Sequence, residues 1–323
     1  MTDWHTDALD LLDKYVPRTS EDPTEPILRA LVAHAPTKRG QQNLCQDILK
    51  CGGTTTTEEI DLSERLYDLG QYYVSALLVP MLRGGKTSWD TRIHLSKETN
   101  LVPTISPLLI EQAKHDLEKT QVLALVRDNY RCVISGVPDL LACETHLVQD
   151  PDAPEIAFTT AARILPLSFA GGGESASVWT ALSKFSGMDV ASELSGHNIN
   201  RLGNIFTVTI RDHWPFSGLH ACLEAVEGKE HTYRVARCLP GIKLPVGKEI
   251  TFTSTHPELE LPDPRFIAIH AACAKTIWSS GTFRYLDRIV QDWEELPVLA
   301  EDGSSHVLFH ALHSITPRMI ISE

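Results

Sequence analysis

The sequence changes rhythm twice, and that change constrains its fold more than any other feature. Residues 1–120 and 241–323 carry apolar positions at helical spacing. Residues 121–240 are richer in Gly, Ser, Thr and β-branched side chains, with short strand-like runs at Cys132–Ile134 and Ile205–Ile210. Three segments are therefore expected: a helical N-terminal region over 1–120, a core over 121–240, and a C-terminal helical extension over 241–323 packed on that core. The 323-residue length fits about two domains, or one core with helical additions.

In the first segment, Ile27, Leu28, Leu31 and Val32 share one face of a helix expected over Pro26–Ala35. Thr54–Thr57 followed by Glu58 and Glu59 reads as a capping-box start. It leads into Ile60, Leu62, Leu66, Leu69, Tyr73, Leu77 and Met81 at helical spacing, and Gly84-Gly85 is expected to end the run. The stretch Leu101–Pro107 precedes a helical run from Leu108 into Asn129. Gly171–Ser177 reads as a flexible loop. In the last segment, Asp263-Pro264 places an N-cap before Pro at the first helical position, with a stop expected at Gly281. Thr282–Glu295 then offers Leu286, Ile289, Val290 and Trp293 as an apolar face, and Glu301-Asp302-Gly303 reads as an acidic turn.

Charge narrows the partners. The chain has 29 Lys and Arg against 42 Asp and Glu, a net charge of −13. Nucleic-acid affinity comes largely from cations that neutralise phosphates, so no nucleic-acid partner is expected unless a local basic groove supplies one. The core segment is no more basic, with 9 Lys and Arg against 13 Asp and Glu. Met1–Asp13 carries four Asp and lacks the basic and apolar stretches of a signal peptide. Apolar runs such as Ser75–Leu82 fall far short of the roughly 18 residues that span a bilayer, so no membrane partner is expected. Seven cysteines without a CxxC pair point to reduced thiols and a cytoplasmic location.

The run Arg127-Asp128-Asn129-Tyr130-Arg131-Cys132-Val133-Ile134-Ser135-Gly136 resembles the opening of the fungal HNH endonuclease-like family, where a helix ending in R-D-x-x-R-C enters the first strand. Ala162–Ser168 is similar to the family's A-H-I-[IL]-P-x-S pattern, and Asn204–Gly218 to its N-x-[IL]-T-L…H…F-[DG] stretch. Leu261–Leu286, with Ile269–Ala274, is similar to its C-terminal helices. The resemblance implies an α+β fold, mostly helical overall: a small ββα-metal core, in which a two-stranded ribbon packs on one helix, elaborated by helices at both ends.

In that family a divalent ion lies against the scissile phosphate and a neutral imidazole deprotonates water. The resemblance assigns the base to the His of the A-H-I pattern. Arg163 stands there in this chain, and a guanidinium keeps its proton and accepts none. Ala162 beside it offers no metal ligand. Asn204 and His213 match the two remaining positions, and His197, seven residues before Asn204, is the candidate for a displaced base. No metal is expected at this place. Each residue also has a plainer reading: Asn204 satisfying turn backbone, His213 half-buried and hydrogen-bonded, His146 on the surface, and Arg163 ion-paired to Asp212 or Glu224.

An arginine in place of the base gives the cleft a fixed cationic donor, able to grip a carboxylate or polarise a carbonyl oxygen. Phe169, Trp179, Phe185, Phe206, Trp214 and Phe216 flank the motif in sequence. Trp179, Phe206, Trp214 and Phe216, with His197, are the candidate walls for a small apolar substrate such as a terpenoid or polyketide, although the same rings can serve as core. The expected activity is a cofactor-independent cyclisation of the Diels–Alder, or pericyclic, type in secondary-metabolite biosynthesis. Arg163, with Asn204 or His213, would hydrogen-bond an activating carbonyl while the walls hold a near-attack conformer. A metal-dependent HNH endonuclease and a non-catalytic binding protein are the alternatives.

Overall fold

The computed structural model describes residues 3–53, 61–87, 95, 99–169 and 175–295. The capping-box start at Thr54–Glu59, the glycines at 171–173 and the turn at Glu301–Gly303 lie outside them. In chain order the described residues form α1 (Trp4–Leu12), α2 (Thr24–His34), α3 (Lys38–Cys51), α4 (Leu62–Tyr73) and α5 (Val79–Thr87). Then come α6 (Pro107–Ala113), α7 (Leu117–Arg127), α8 (Leu140–Glu144), β1 (Thr159–Arg163), α9 (Ser175–Ser186) and α10 (Ala191–Leu194). The chain continues through β2 (Ile205–Thr209), α11 (Ile210–Ser217), β3 (Ala221–Ala225), β4 (Thr232–Arg237), β5 (Glu249–Thr251), α12 (Pro264–Ser279) and α13 (Phe283–Glu295). The fold is α+β and mostly helical, with its named strands in small antiparallel sheets. No helix among the described residues is long and apolar enough to cross a membrane.

The chain divides into two compact units that cut across sequence order. One takes residues 1–82, 174–189 and 275–323; the other takes 83–173 and 190–274. In the first, α2 buries Ile27, Leu28, Leu31 and Val32, as their spacing predicts. Thr37 caps α3 by accepting from the Gly40 amide at 2.9 Å. Gly40 lets α3 approach α9 closely, because a Cβ there would collide with the Phe185 carbonyl. Between α4 and α5 the chain takes a π turn over Val74–Leu78, immediately before Pro80. Proline has no N–H and its ring crowds the preceding turn, so a widened turn relieves both problems. Buried Asp47 accepts from Tyr73 Oη at 3.2 Å, Lys184 Nζ at 2.7 Å and Lys50 Nζ at 3.2 Å.

Two helix boundaries in the second unit differ from the sequence expectation. The helix expected to stop at Gly84-Gly85 runs on to Thr87; Gly84 serves close packing, since a Cβ there would meet the Pro166 ring. The run expected from Leu108 into Asn129 is broken at Lys114–Asp116, where the Asp116 carboxylate caps α7 through the Lys119 amide at 3.2 Å. After α7, Asn129 and Tyr130 both adopt left-handed backbone, with φ of 55° and 57°. Cys132–Ile134 is a turn and not the expected strand. Gly136 N donates to Cys132 O at 2.8 Å, and Gly136 at φ 83° supplies the backbone that closes it.

β1 and β2 pair antiparallel, with Ala162 opposite Phe206 and Arg163 opposite Ile205. The strand expected over Ile205–Ile210 ends at Thr209, whose hydroxyl accepts from Asp212 N at 3.1 Å and caps α11. α11 thus follows β2 directly and packs against both strands, in a ββα arrangement. Arg127 and Asp128 tie α7 to this unit. Arg127 donates to the Leu202, Glu260 and Ile205 carbonyls at 2.9, 3.0 and 2.8 Å and pairs with Asp128 at 2.7 Å. Asp128 accepts from Thr207 N at 2.7 Å. The charged pair is buried but fully hydrogen-bonded, the condition under which buried charge is tolerated. A second sheet, β3-β4-β5, follows α11.

Candidate functional site

Arg163 closes β1 and is half-buried. Its Nε and Nη2 donate to Asn200 Oδ1 at 3.0 and 2.9 Å, and Asn200 Nδ2 donates to the Lys114 carbonyl at 3.0 Å. Nη1 donates to no described residue, and Arg163 forms no salt bridge among them. The expected ion pair with Asp212 or Glu224 is absent from the described residues. Asp212 instead accepts from Cys132 Sγ at 3.2 Å and lies 3.6 Å from Arg211 Nε. Burial without a compensating carboxylate pulls the Arg163 pKa below its ordinary value. Such a guanidinium is short of an anion or a carbonyl oxygen, and a ligand that brings one is favoured there.

Asn204 has a different occupation. It is fully buried; Oδ1 accepts from Leu165 N at 2.8 Å, and Nδ2 donates to Leu165 O at 2.8 Å and Ile199 O at 2.9 Å. Both amide protons are spent on backbone, which corrects its reading as a catalytic donor: Asn204 positions the Ala162–Ser168 run. His213 is buried on α11, with Nε2 3.3 Å from Ser217 Oγ. The family's divalent ion does not fit these residues. Arg163 is a cation, Ala162 offers no ligand atom, and Asn204 is saturated; among the described residues no group of three or more His, Cys, Asp or Glu is placed to hold a metal.

Two of the expected aromatic walls, Phe206 and Phe216, are corrected. Phe206 and Phe216 are core, with rings 4.8 Å apart edge to face, and Phe206 meets Phe252 at 5.5 Å. Phe169 and Phe185 are equally buried. Trp214 is 41% exposed, with its ring 4.4 Å from that of His220. Trp179 lies on α9, in the first unit. All five residues of β2 are buried, so both of its faces are covered and its aromatic goes inward.

The second unit instead holds a cleft of about 480 Å³ with no aromatic in its wall. Ile110, Ala113 and Leu202 give it an aliphatic side; Lys114, Asn198 and Asn200 supply polar groups; Glu193, Arg201, Glu258 and Glu260 add charge. Arg201 bridges Glu193 at 3.2 Å and Glu260 at 3.1 Å, which offsets much of that charge locally. Among the sequence candidates, His197 adjoins the wall residue Asn198, and Arg163 reaches the wall through Asn200. Asn200, Asn198 and Lys114 were not singled out from sequence. The two asparagines lie in the asparagine-dense run Gly196–Asn204, and Lys114 carries no such signal. Fold and site together define an α+β protein with a ribbon–helix unit and an arginine-backed polar cleft. Comparison with protein-family models, curated proteins and solved structures finds no match.

Proposed function

We propose that this chain is a cofactor-independent cyclase of the Diels–Alder type, on a ββα frame of the HNH kind whose general base has been replaced by arginine. The observation that carries the reading is Arg163, half-buried, without a carboxylate partner among the described residues, and hydrogen-bonded to a cleft residue. Two charge-assisted bonds to Asn200 Oδ1 withdraw electron density from the amide, so the Nδ2 protons become stronger donors. One of those protons goes to the Lys114 carbonyl; the other is left for a substrate carbonyl in the cleft. Such a bond strengthens as charge develops on that oxygen during ring closure, and so lowers the barrier. Ile110, Ala113 and Leu202 would hold the hydrocarbon body in a folded conformer. The substrate is then a terpenoid or polyketide with a carbonyl head and an apolar body. All seven cysteines are free thiols, which supports a cytoplasmic setting.

The test has two arms. Plasmid DNA incubated with the protein and Mg²⁺, Mn²⁺ or Zn²⁺ is expected to stay intact; cleavage that chelator abolishes would overturn the proposal in favour of a nuclease. Linear polyenes bearing an α,β-unsaturated carbonyl are expected to convert to products of unchanged mass, with no effect of EDTA. Arg163→Gln and Asn200→Ala should slow that conversion by about 10²–10³-fold, as loss of an oxyanion donor does. Binding without conversion would make the chain a binding protein.

A further inference from the structure

His115 and His197 are 82 positions apart in sequence, yet their ring centroids lie 4.2 Å from each other, tilted by 47°. His115 sits in the turn between α6 and α7, and His197 in the 3-10 segment Gly196–Asn200. Both are exposed, and neither ring makes a hydrogen bond or ion pair among the described residues. The tilt is neither the offset-stacked nor the edge-to-face geometry that aromatic packing favours. The approach is braced by an asparagine side chain. Asn200 Nδ2 bonds the carbonyl of Lys114, one residue before His115, and Asn200 is in turn held by Arg163. Two unengaged imidazoles are thus presented side by side on a braced frame.

We propose that His115 and His197 chelate one divalent transition-metal ion of the Zn²⁺, Ni²⁺ or Cu²⁺ class, each through one ring nitrogen, with water completing the coordination sphere. Imidazole suits these ions, whereas Mg²⁺ and Ca²⁺ take oxygen ligands. A metal lies about 2.0–2.1 Å from each ligating nitrogen, so two exposed rings this close can share one by side-chain rotation. Glu111, one turn before His115, is ion-paired to Lys114 at 2.6 Å and so is not offered as a third ligand. Two protein ligands leave open positions, and the ion stays exchangeable. Lys114 and Asn198, the sequence neighbours of the two histidines, line the cleft. The proposed cyclisation does not use this ion, although Asn200 serves both by holding the turn that carries His115.

Isothermal titration of the full, tag-free chain with ZnCl₂, NiCl₂ and MgCl₂ tests the proposal. One equivalent of Zn²⁺ or Ni²⁺ and no Mg²⁺ is the expected result. His115→Gln and His197→Gln should each weaken that binding by about tenfold or more. His146→Asn, an exposed histidine in left-handed backbone that asparagine tolerates, should leave it unchanged. Thermal melts confirm that the variants fold, since both side chains are exposed. Absence of a stoichiometric event in the native chain, or its survival in both glutamine variants, would sink the proposal.

Discussion

His270 stacks on Phe216 at 4.0 Å and donates from Nε2 to the Phe216 carbonyl at 3.1 Å, while Nδ1 has no hydrogen-bond partner among the described residues. Protonating Nδ1 would put an unpaired charge in the core, so burial pushes the pKa down to about 4 from an ordinary 6.5. Between those values the unfolded chain binds a proton that the folded chain refuses. Stability is therefore full above pH 6.5 and falls as the pH drops towards 4, by about 3 kcal/mol over the window. Melting temperatures of His270→Phe, measured from pH 7 to 4.5, should show a shallower acid slope than the native chain. Arg163 and Asn204 make an opposed pair at the same scale. Asn204→Ala strands three buried backbone groups and should cost about 2–4 kcal/mol in denaturant titrations. Arg163→Met removes a desolvated charge with no counter-ion and should leave the melting temperature equal or higher. A large loss of stability in Arg163→Met would mean that the guanidinium is a structural prop.

At the level of elements, Gly40 sets the crossing of α3 and α9. Gly40→Ala drives a methyl into the Phe185 carbonyl and should destabilise by about 1–3 kcal/mol, although alanine is the better helix former. Helices whose burial follows one stripe were legible in advance. Ile27, Leu28, Leu31 and Val32 define α2, and Asp263-Pro264 with Gly281 brackets α12. Misreadings arose where a local signal served a distant partner. Gly84 looks like a stop yet sits inside a helix because Pro166 packs on it, and the β-branched Val133-Ile134 lost to the turn chemistry of Ser135-Gly136. The Arg127-Asp128 pair is a buried brace for β2, a role that no spacing announces. Phe206 and Phe216 could not be told from ligand walls, because an aromatic ring in sequence carries no sign of what covers it.

For the whole molecule, contacts far apart in sequence carry the site. Arg163 and Asn200 are 37 residues apart, and the amide joins the arginine to a turn 86 residues away from itself. Pattern reading found the arginine through its place in a motif and had no means of finding its partners. The same long-range character governs the first compact unit, whose buried Ala181, Leu182, Phe185, Leu286 and Val290 lie on α9 and α13. A fragment of residues 1–82 lacks all five and is expected to lack a cooperative melt and to bind hydrophobic dye. A sharp transition in that fragment would show that its helices need no later segment. The division also sets a timetable for synthesis. Every segment of the unit formed by 83–173 and 190–274 has been made by residue 274, whereas the unit that begins the chain must await α13. At about 5–20 residues per second, its first three helices stand exposed to the ribosome's surroundings for roughly 12–50 s. The part made first is completed last, and chaperone demand should concentrate on the amino-terminal helices of the nascent chain.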